Sequence, residues 1–165
     1  MMKRITLAIA LIIGLLASPV LSQSQPAPSV ENNLYVKALF ACLDANAKAY
    51  SSQTNSRHDY YNVIVQQDEI ITKNFPTQLG AYRIEYLEAQ ALVNRYKAKK
   101  SEFPIIIIRP IENDGAKLVI KFTDYFFSYG KKSLNYGLEG GCNVILSYDC
   151  SKQEYVIEKV DLWGI

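Results

Sequence analysis

The sequence predicts an α+β domain in which two helices pack on a curved antiparallel sheet. Three observations carry this prediction. A long amphipathic helix pattern stands near the start of the chain, a second helix pattern stands near its middle, and four long strand patterns joined by turn signals fill the C-terminal half. A short two-stranded portion lies between the two helices.

The first 22 residues have the layout of a secretory signal peptide. Lys3 and Arg4 form a basic head, an apolar run extends from Ile5 to Ala17, and small residues surround a cut after Ser22. A transmembrane helix needs roughly 20 apolar residues, so this run is short for one, and an uncleaved anchor is the alternative. We therefore expect an exported protein, periplasmic or extracellular.

The rest of the chain has balanced charge. Removing residues 1–22 leaves 16 basic and 16 acidic side chains, whereas a nucleic-acid binder needs a basic face that displaces counterions from phosphates. We therefore expect no nucleic-acid partner. We also expect no cofactor, and no stable membrane insertion after signal cleavage. The length suits one domain, which we place at residues 31–165, after a flexible leader at 23–30.

The helix patterns cover residues 29–50 and 88–100. Ser29 can cap the first helix, whose broad apolar stripe includes Cys42. The second pattern contains good helix formers and ends in lysines, which suit the negative end of a helix dipole.

The strand patterns are β-branched and aromatic, and turn residues separate them. Pro110 has no N–H to donate, so its strand reaches an edge or a bulge there, and Asn113-Asp114-Gly115 predicts a tight hairpin. The predicted strands are residues 60–66, 81–87, 103–112, 118–129, 134–148 and 155–163.

The fifth of these strands has the most regular pattern. From Leu134 to Tyr148 the even positions carry mostly apolar side chains, and the odd positions carry mostly polar residues or glycine. This alternation predicts one apolar face along the whole strand, lying against the first helix.

The order of these elements resembles the nuclear transport factor 2-like fold and the wider cystatin-like α+β group, over about residues 30–163. The resemblance implies a curved sheet wrapped around the helices and an apolar, cone-shaped pocket between them. Gly137 and the pair Gly140-Gly141 suit bulges that bend such a sheet. In similar enzymes, such as ketosteroid isomerases and scytalone dehydratases, a carboxylate or a His–Asp pair in the pocket moves protons, but no motif assigns these roles to residues of this chain.

Asp124 is the first candidate site residue. It is one of the even-numbered positions of its strand, and the others, such as Ile120 and Phe122, are expected to point into the core. Burial raises the pKa of a carboxyl group toward the range of a general base. The alternative, favoured by the aromatic residues that follow at odd positions, is a bulge that turns Asp124 outward or a structural hydrogen bond.

Two further groups of residues are weaker candidates. His58 and Asp59 could act as an acid–base pair, although a solvated loop histidine is the more common case. Tyr136, Leu138 and Val144 are expected on the concave face, where they would line a ligand site or simply form core.

The three cysteines are expected to contribute one disulfide. Cys142 and Cys150 lie eight residues apart on one strand, roughly 26 Å, so they cannot bond to each other. Cys42 lies on the apolar side of the helix. We favour Cys42–Cys150, with Cys42–Cys142 and no bond as alternatives. No metal site is predicted, because the chain has one histidine and no CxxC pair.

These expectations lead to three functional hypotheses. The leading one is an exported, non-catalytic domain that binds a small apolar ligand or a partner protein. The second is a proton-transfer enzyme of the isomerase or dehydratase type, with Asp124 as the base and Tyr136 as a hydrogen-bond donor. The third is a periplasmic inhibitor or interaction module that presents a sheet edge or a turn.

Overall fold

The computed structural model describes residues 33–51, 61–71 and 75–164. The predicted signal peptide and leader lie outside these ranges. Within them, neither helix has the length and hydropathy that a membrane span requires. The elements are α1 Leu34–Ser51, β1 Asn62–Gln66, β2 Gln78–Leu79, β3 Tyr82–Leu87, α2 Ala89–Lys99, β4 Phe103–Ile108, β5 Glu112–Asp114, β6 Lys117–Gly130, β7 Ser133–Asp149 and β8 Glu154–Trp163.

The predicted α+β class is confirmed: two helices pack on a curved, open sheet. The described strands form one eight-stranded sheet in the order β2-β3-β1-β4-β6-β7-β8, and β5 pairs with β6. The four C-terminal strands form the predicted antiparallel meander. However, β1 runs parallel to both β3 and β4, so the sheet is mixed rather than antiparallel. Helix α2 makes the crossover from β3 to β4 that this arrangement requires.

Helix α1 begins at an asparagine cap. The Asn33 side-chain oxygen accepts hydrogen bonds from the backbone N–H groups of Tyr35 (3.0 Å) and Val36 (3.4 Å). These N–H groups have no partner inside the helix, so the cap satisfies donors that would otherwise depend on water. Ser29, the predicted cap, lies outside the described residues.

The two helices cover opposite faces of the sheet. The α1 face holds the larger core, in which α1 packs against the centres of β6 and β7. The α2 face holds a smaller core, formed by α2 with β4 and β6. The fully buried side chains of the α1 face include Leu39, Cys42, Phe122, Cys142, Val144 and Leu146, and those of the α2 face include Leu92, Ile105 and Phe127.

Strand β7 contains an extra residue, Glu139. Asp124 of β6 pairs with Gly140 and the next residue, Tyr125, pairs with Leu138, so the register of the ladder skips Glu139. One extra residue reverses the side on which the following side chains point. The prediction of one apolar face along the whole strand is therefore wrong. Even positions from Gly140 onward lie on the α1 face, and even positions up to Leu138 lie on the α2 face.

The predicted strand 103–112 is interrupted at Pro110. Ladder pairing with β6 runs from Phe103 to Ile108, and Arg109 N–H donates to the Lys121 carbonyl oxygen at 2.9 Å. Pro110 has no N–H to continue the ladder, and pairing resumes in the short strand β5. The hairpin that follows turns at Gly115, whose φ of +64° suits glycine.

Strand β8 forms one edge of the sheet, and its edge is obstructed. A register shift against β7 leaves Glu158 as an extra residue, which makes a bulge. Glu158 and Lys159 are exposed, and Lys37 of α1 donates to the Tyr155 carbonyl oxygen at 2.9 Å. Bulges, charges and covered carbonyl groups are the devices by which proteins prevent a further strand from pairing.

Candidate functional site

Asp124 lies in the middle of β6 on the α1 face. It pairs with Gly140 on β7 and with Ile106 on β4, and two β6 residues of the same parity, Ile120 and Phe122, are fully buried. A bulge does occur beside Asp124, but the extra residue belongs to β7. The alternation of β6 is unbroken, so the bulge does not turn Asp124 away from α1.

The surroundings of Asp124 favour its neutral form. Burial raises the pKa of Asp124 from 3.8 to about 6, the negative charge of Glu139 adds to the rise, and a side-chain hydrogen bond from Asn46 opposes it. The carboxyl oxygen Oδ1 is buried and has no hydrogen-bond partner in the described part of the chain. A carboxylate in this environment can accept a proton near neutral pH, which is the property that a general base needs.

Two thiols lie beside this carboxyl group. Cys42 of α1 and Cys142 of β7 are both fully buried in the same core, and the two thiols lie close enough for Cys142 to affect the pKa of Cys42. Burial raises the pKa of the Cys42 thiol well above its usual value, and both the Cys142 thiol and the Asp124 charge raise it further. The Asn46 amide nitrogen lies 4.0 Å from the Cys42 sulfur. Because the thiolate is the reactive form, Cys42 in the folded chain is unsuited to act as a nucleophile.

The predicted Cys42–Cys150 disulfide is absent, and all three cysteines are free thiols. Cys150 lies in the turn after β7 and is exposed, whereas Cys42 is fully buried on the side of α1 that faces the sheet. The sequence gives Cys150 the same parity as Cys142, but the strand carries it out of the core before the turn. The cysteine that lies close to Cys42 is Cys142.

The predicted cone is filled where the structure describes its walls. Leu39 and Leu43 of α1 and Phe122, Val144 and Leu146 of the sheet are all buried in one core. Their side chains therefore occupy the space that an apolar ligand would need between α1 and this part of the sheet. His58 and Asp59, the other predicted acid–base pair, lie outside the described residues.

The opposite side of the sheet carries a partly exposed aromatic surface. Tyr136 makes edge contacts with Tyr125 (ring centroids 5.7 Å apart) and with Phe127 (5.6 Å). Next to them, Leu138 is 62% exposed. Helix α2 covers Phe127 but leaves this neighbouring area open. We call the area formed by Tyr125, Tyr136 and Leu138 the aromatic face.

The aromatic face corrects the predicted ligand site. Tyr136 and Leu138 were expected to share a concave wall with Val144. The bulge at Glu139 separates them, because Val144 is fully buried on the α1 face while Tyr136 and Leu138 lie on the α2 face. The same separation places Tyr136 on the opposite side of the sheet from Asp124, so these two residues cannot act on one substrate.

Polar contacts hold the tyrosines of the aromatic face in place. The Tyr136 hydroxyl donates to the side-chain oxygen of Gln66 at 3.1 Å, and Arg109 donates to the Tyr125 hydroxyl at 3.2 Å. Anchored rings lose little conformational freedom when a partner binds, which favours binding.

Two lysines on the same side of the sheet pair with acidic side chains. Lys121 lies 2.6 Å from Glu112, and Lys159 lies 2.7 Å from Asp161. Lys121 has the parity of Tyr125 on β6, and it shares a cross-strand row with Asp161. The charges of these two lysines are therefore each compensated by an acid of the same chain.

A shallow groove of about 570 Å³ lies at the other end of the sheet, beside β2 and β3. It is open to solvent and contains neither Asp124 nor any residue of the aromatic face. Two of its side chains already have partners: Glu85 pairs with Arg95, and the Tyr86 hydroxyl donates to the Pro76 carbonyl oxygen at 2.9 Å. Its lining consists of Thr77, Gln78, Arg83, Ile84, Glu85 and Tyr86.

Several residues of these sites were not identified from the sequence. Asn46 lies one helical turn after Cys42, and that spacing could have placed it on the buried stripe. Glu139 stands within the stretch GLEGG, where a bulge was expected, but the alternation alone does not show which residue is extra. Gln66 and Arg109 reach the aromatic face through strand pairing, which leaves no local signal.

Comparisons of the chain with known protein families, with curated proteins and with solved structures find no match.

Proposed function

We propose that this chain is an exported, non-catalytic binding domain and that a partner protein docks on the aromatic face. The observation that carries the proposal is the exposure of Leu138, at 62%, beside two tyrosines whose hydroxyl groups already have partners. An exposed leucine next to anchored aromatic rings is the composition expected of the centre of a protein interface.

The filled interior favours a partner protein over a small apolar ligand. A small ligand binds best in a concave pocket that encloses most of its surface. The packed core residues Leu39, Phe122 and Val144 leave no such space between α1 and the sheet that they line. The aromatic face, in contrast, is a sheet surface, which suits a partner of similar extent.

The neighbouring ion pairs indicate the chemistry of the partner. Because Lys121 and Lys159 are each paired with an acid of the same chain, they offer little attraction to a charged partner. The partner should therefore present mainly apolar side chains, and its binding should depend weakly on salt concentration.

The obstructed edge at β8 disfavours the third hypothesis in the form of a partner strand that pairs with β8. A partner strand would have to displace Lys37 from the Tyr155 carbonyl group and accommodate the bulge at Glu158. Docking on a face avoids both costs.

The experiment places a photoreactive amino acid at position 138 in the producing cell, identifies the protein that cross-links, and then measures the binding of that purified protein. Leu138→Ser should weaken binding at least tenfold, since truncation of a central interface residue costs more than about 1.4 kcal/mol. Tyr148→Ser is the matched control, because Tyr148 is 49% exposed on the other face. Equal affinities of the wild type and Leu138→Ser would contradict the proposal.

The second candidate is a proton-transfer enzyme that uses Asp124 as its base. The observation that favours it is the raised pKa of Asp124, about 6, together with its buried oxygen Oδ1, which has no hydrogen-bond partner among the described residues. In this hypothesis the hydrogen-bond donor next to Asp124 is the side-chain amide of Asn46. It is not the hydroxyl group of Tyr136, which lies on the other side of the sheet.

A test of this candidate follows the isomerisation of a small β,γ-unsaturated ketone to its conjugated form by ultraviolet absorbance. An enzyme of this type should accelerate the reaction, and Asp124→Asn should lower the rate by about 10²–10⁴-fold. Equal rates with the wild type, with Asp124→Asn and without protein would exclude this function for that substrate class.

A further inference from the structure

Cys42 and Cys142 meet where α1 crosses the centre of the sheet. Cys142 pairs with Phe122 on one side and with Leu162 on the other, so it lies on an inner strand. Both thiols are fully buried in one core, where α1 packs against β7, and Cys142 lies close enough to Cys42 to raise the pKa of its thiol. The two residues are one hundred positions apart in the chain, so their proximity depends on the complete fold.

We propose that Cys42 and Cys142 form a disulfide bond that joins α1 to the sheet when the chain folds in an oxidising compartment. The proposal is independent of the aromatic face and of any catalytic role for Asp124. It concerns a covalent link that stabilises the packing of α1, and it assigns the third cysteine, Cys150, to a free thiol at the surface.

The oxidant is a small disulfide such as oxidised glutathione. The thiolate of one cysteine attacks a glutathione sulfur, the sulfur–sulfur bond of glutathione breaks, and one reduced glutathione leaves. The thiolate of the second cysteine then attacks the protein sulfur of the mixed disulfide and releases a second reduced glutathione. Two protein thiols are oxidised and one disulfide is reduced, so protons and electrons balance.

The burial of both thiols determines when this exchange takes place. A disulfide oxidant reaches neither sulfur once α1 has packed, and burial also disfavours the thiolate of Cys42. The exchange must therefore occur while α1 is still loosely docked. A chain that folds completely in reducing conditions should resist later oxidation.

Cys150 competes poorly for the same bond. It lies in the turn after β7, eight residues beyond Cys142, which in an extended strand corresponds to roughly 26 Å. A disulfide requires α-carbons about 4.4–6.8 Å apart. A bond from Cys42 to Cys150 would thus require the end of β7 to leave the sheet.

The test refolds the full chain with reduced and oxidised glutathione and then alkylates it under denaturing conditions without reductant. We expect one alkylated cysteine, and three after prior reduction. Trypsin leaves Cys142 and Cys150 on the same peptide, between Lys132 and Lys152. The Cys150→Ser variant therefore shows which of the two cysteines is linked to Cys42. Because Cys150 is exposed, the substitution should not disturb folding.

The decisive result is a cross-linked pair of peptides that contain Cys42 and Cys142, present in the wild type and in Cys150→Ser. Three alkylated cysteines after oxidative refolding, or a link that disappears in Cys150→Ser, would overturn the proposal. A chain folded first under reducing conditions and then given oxidised glutathione should form the bond at least tenfold more slowly. An equal rate would overturn the inference that the bond closes before α1 packs.

Discussion

Asp124 and Gly140 stand opposite each other on neighbouring strands, and the sheet changes register immediately after this pair. A Cβ atom on Gly140 would lie 2.6 Å from the Trp163 carbonyl oxygen. Glycine is therefore required at position 140, where the end of β8 lies against the bulge in β7. The pairing thus joins three features: the half-buried carboxyl group, the extra residue Glu139 and the point at which β7 changes faces.

The first prediction concerns this glycine. Gly140→Ala should lower the free energy of unfolding by about 1–3 kcal/mol, because the new methyl group meets backbone that cannot move freely. Gly137→Ala is the matched control, since a Cβ there would make ordinary contacts at 3.8 Å with Phe126. Urea denaturation measures both variants, and equal losses would contradict the close approach at Gly140.

The second prediction concerns the pH dependence of stability. The pKa of Asp124 is raised in the folded state, from 3.8 to about 6. The carboxyl group of Asp124 therefore binds its proton more tightly in the folded chain than in the unfolded chain. The stability that this proton contributes is fully present below pH 3.8 and is lost as the pH rises through 6. A shift of about two units corresponds to about 3 kcal/mol.

Asp124→Asn should abolish this loss. The variant should be more stable than the wild type at pH 7 by as much as about 3 kcal/mol, and the difference should shrink toward pH 4. Urea denaturation of both proteins at several pH values between 4 and 8 measures it. Parallel stability curves over that range would show that the carboxyl group is not desolvated.

The third prediction tests the change of faces in β7. Leu138→Ser should change the free energy of unfolding by less than about 0.5 kcal/mol, because Leu138 is exposed. Val144→Ala should cost about 2 kcal/mol, because Val144 is fully buried. If β7 had a single apolar face, both substitutions would remove core side chains and would cost similar amounts in thermal or urea unfolding.

The fourth prediction concerns the start of α1. Asn33→Ala should destabilise the chain by about 1 kcal/mol, because two backbone N–H groups lose the acceptor that now caps them. Asn33→Ser keeps an oxygen at the cap and should retain most of the stability. A loss of equal size in both variants, measured by the melting temperature, would show that the cap does not stabilise the helix.

Local patterns in the sequence were sufficient to identify the helices and the longer strands, but not the short strands β2 and β5. Both helices and the long C-terminal strands lie close to their predicted ranges, because apolar periodicity and turn residues act within a few positions. Pro110 interrupts a strand where its missing N–H requires it, and the turn at Gly115 forms where Asn-Asp-Gly predicts it.

The site depended on contacts between distant residues. The alternation in β7 continues through even positions on both sides of Glu139, since each half of the strand has its own apolar neighbours on its own face. The pattern therefore cannot reveal the bulge that separates Tyr136 from Val144. In the same way, equal parity could not distinguish Cys142 from Cys150 as the neighbour of Cys42.

The sequence by itself determined the class of the fold, the order of its helices and longer strands, and the core parity of Asp124. Only the tertiary structure decided that β1 is parallel to its neighbours, that Glu139 is the extra residue, and that Cys42 lies close to Cys142. The physical reason is that the alternation of apolar and polar residues along a strand indicates only which side chains are buried. Which helix covers it, and where two strands lose register, depends on the packing of the whole sheet.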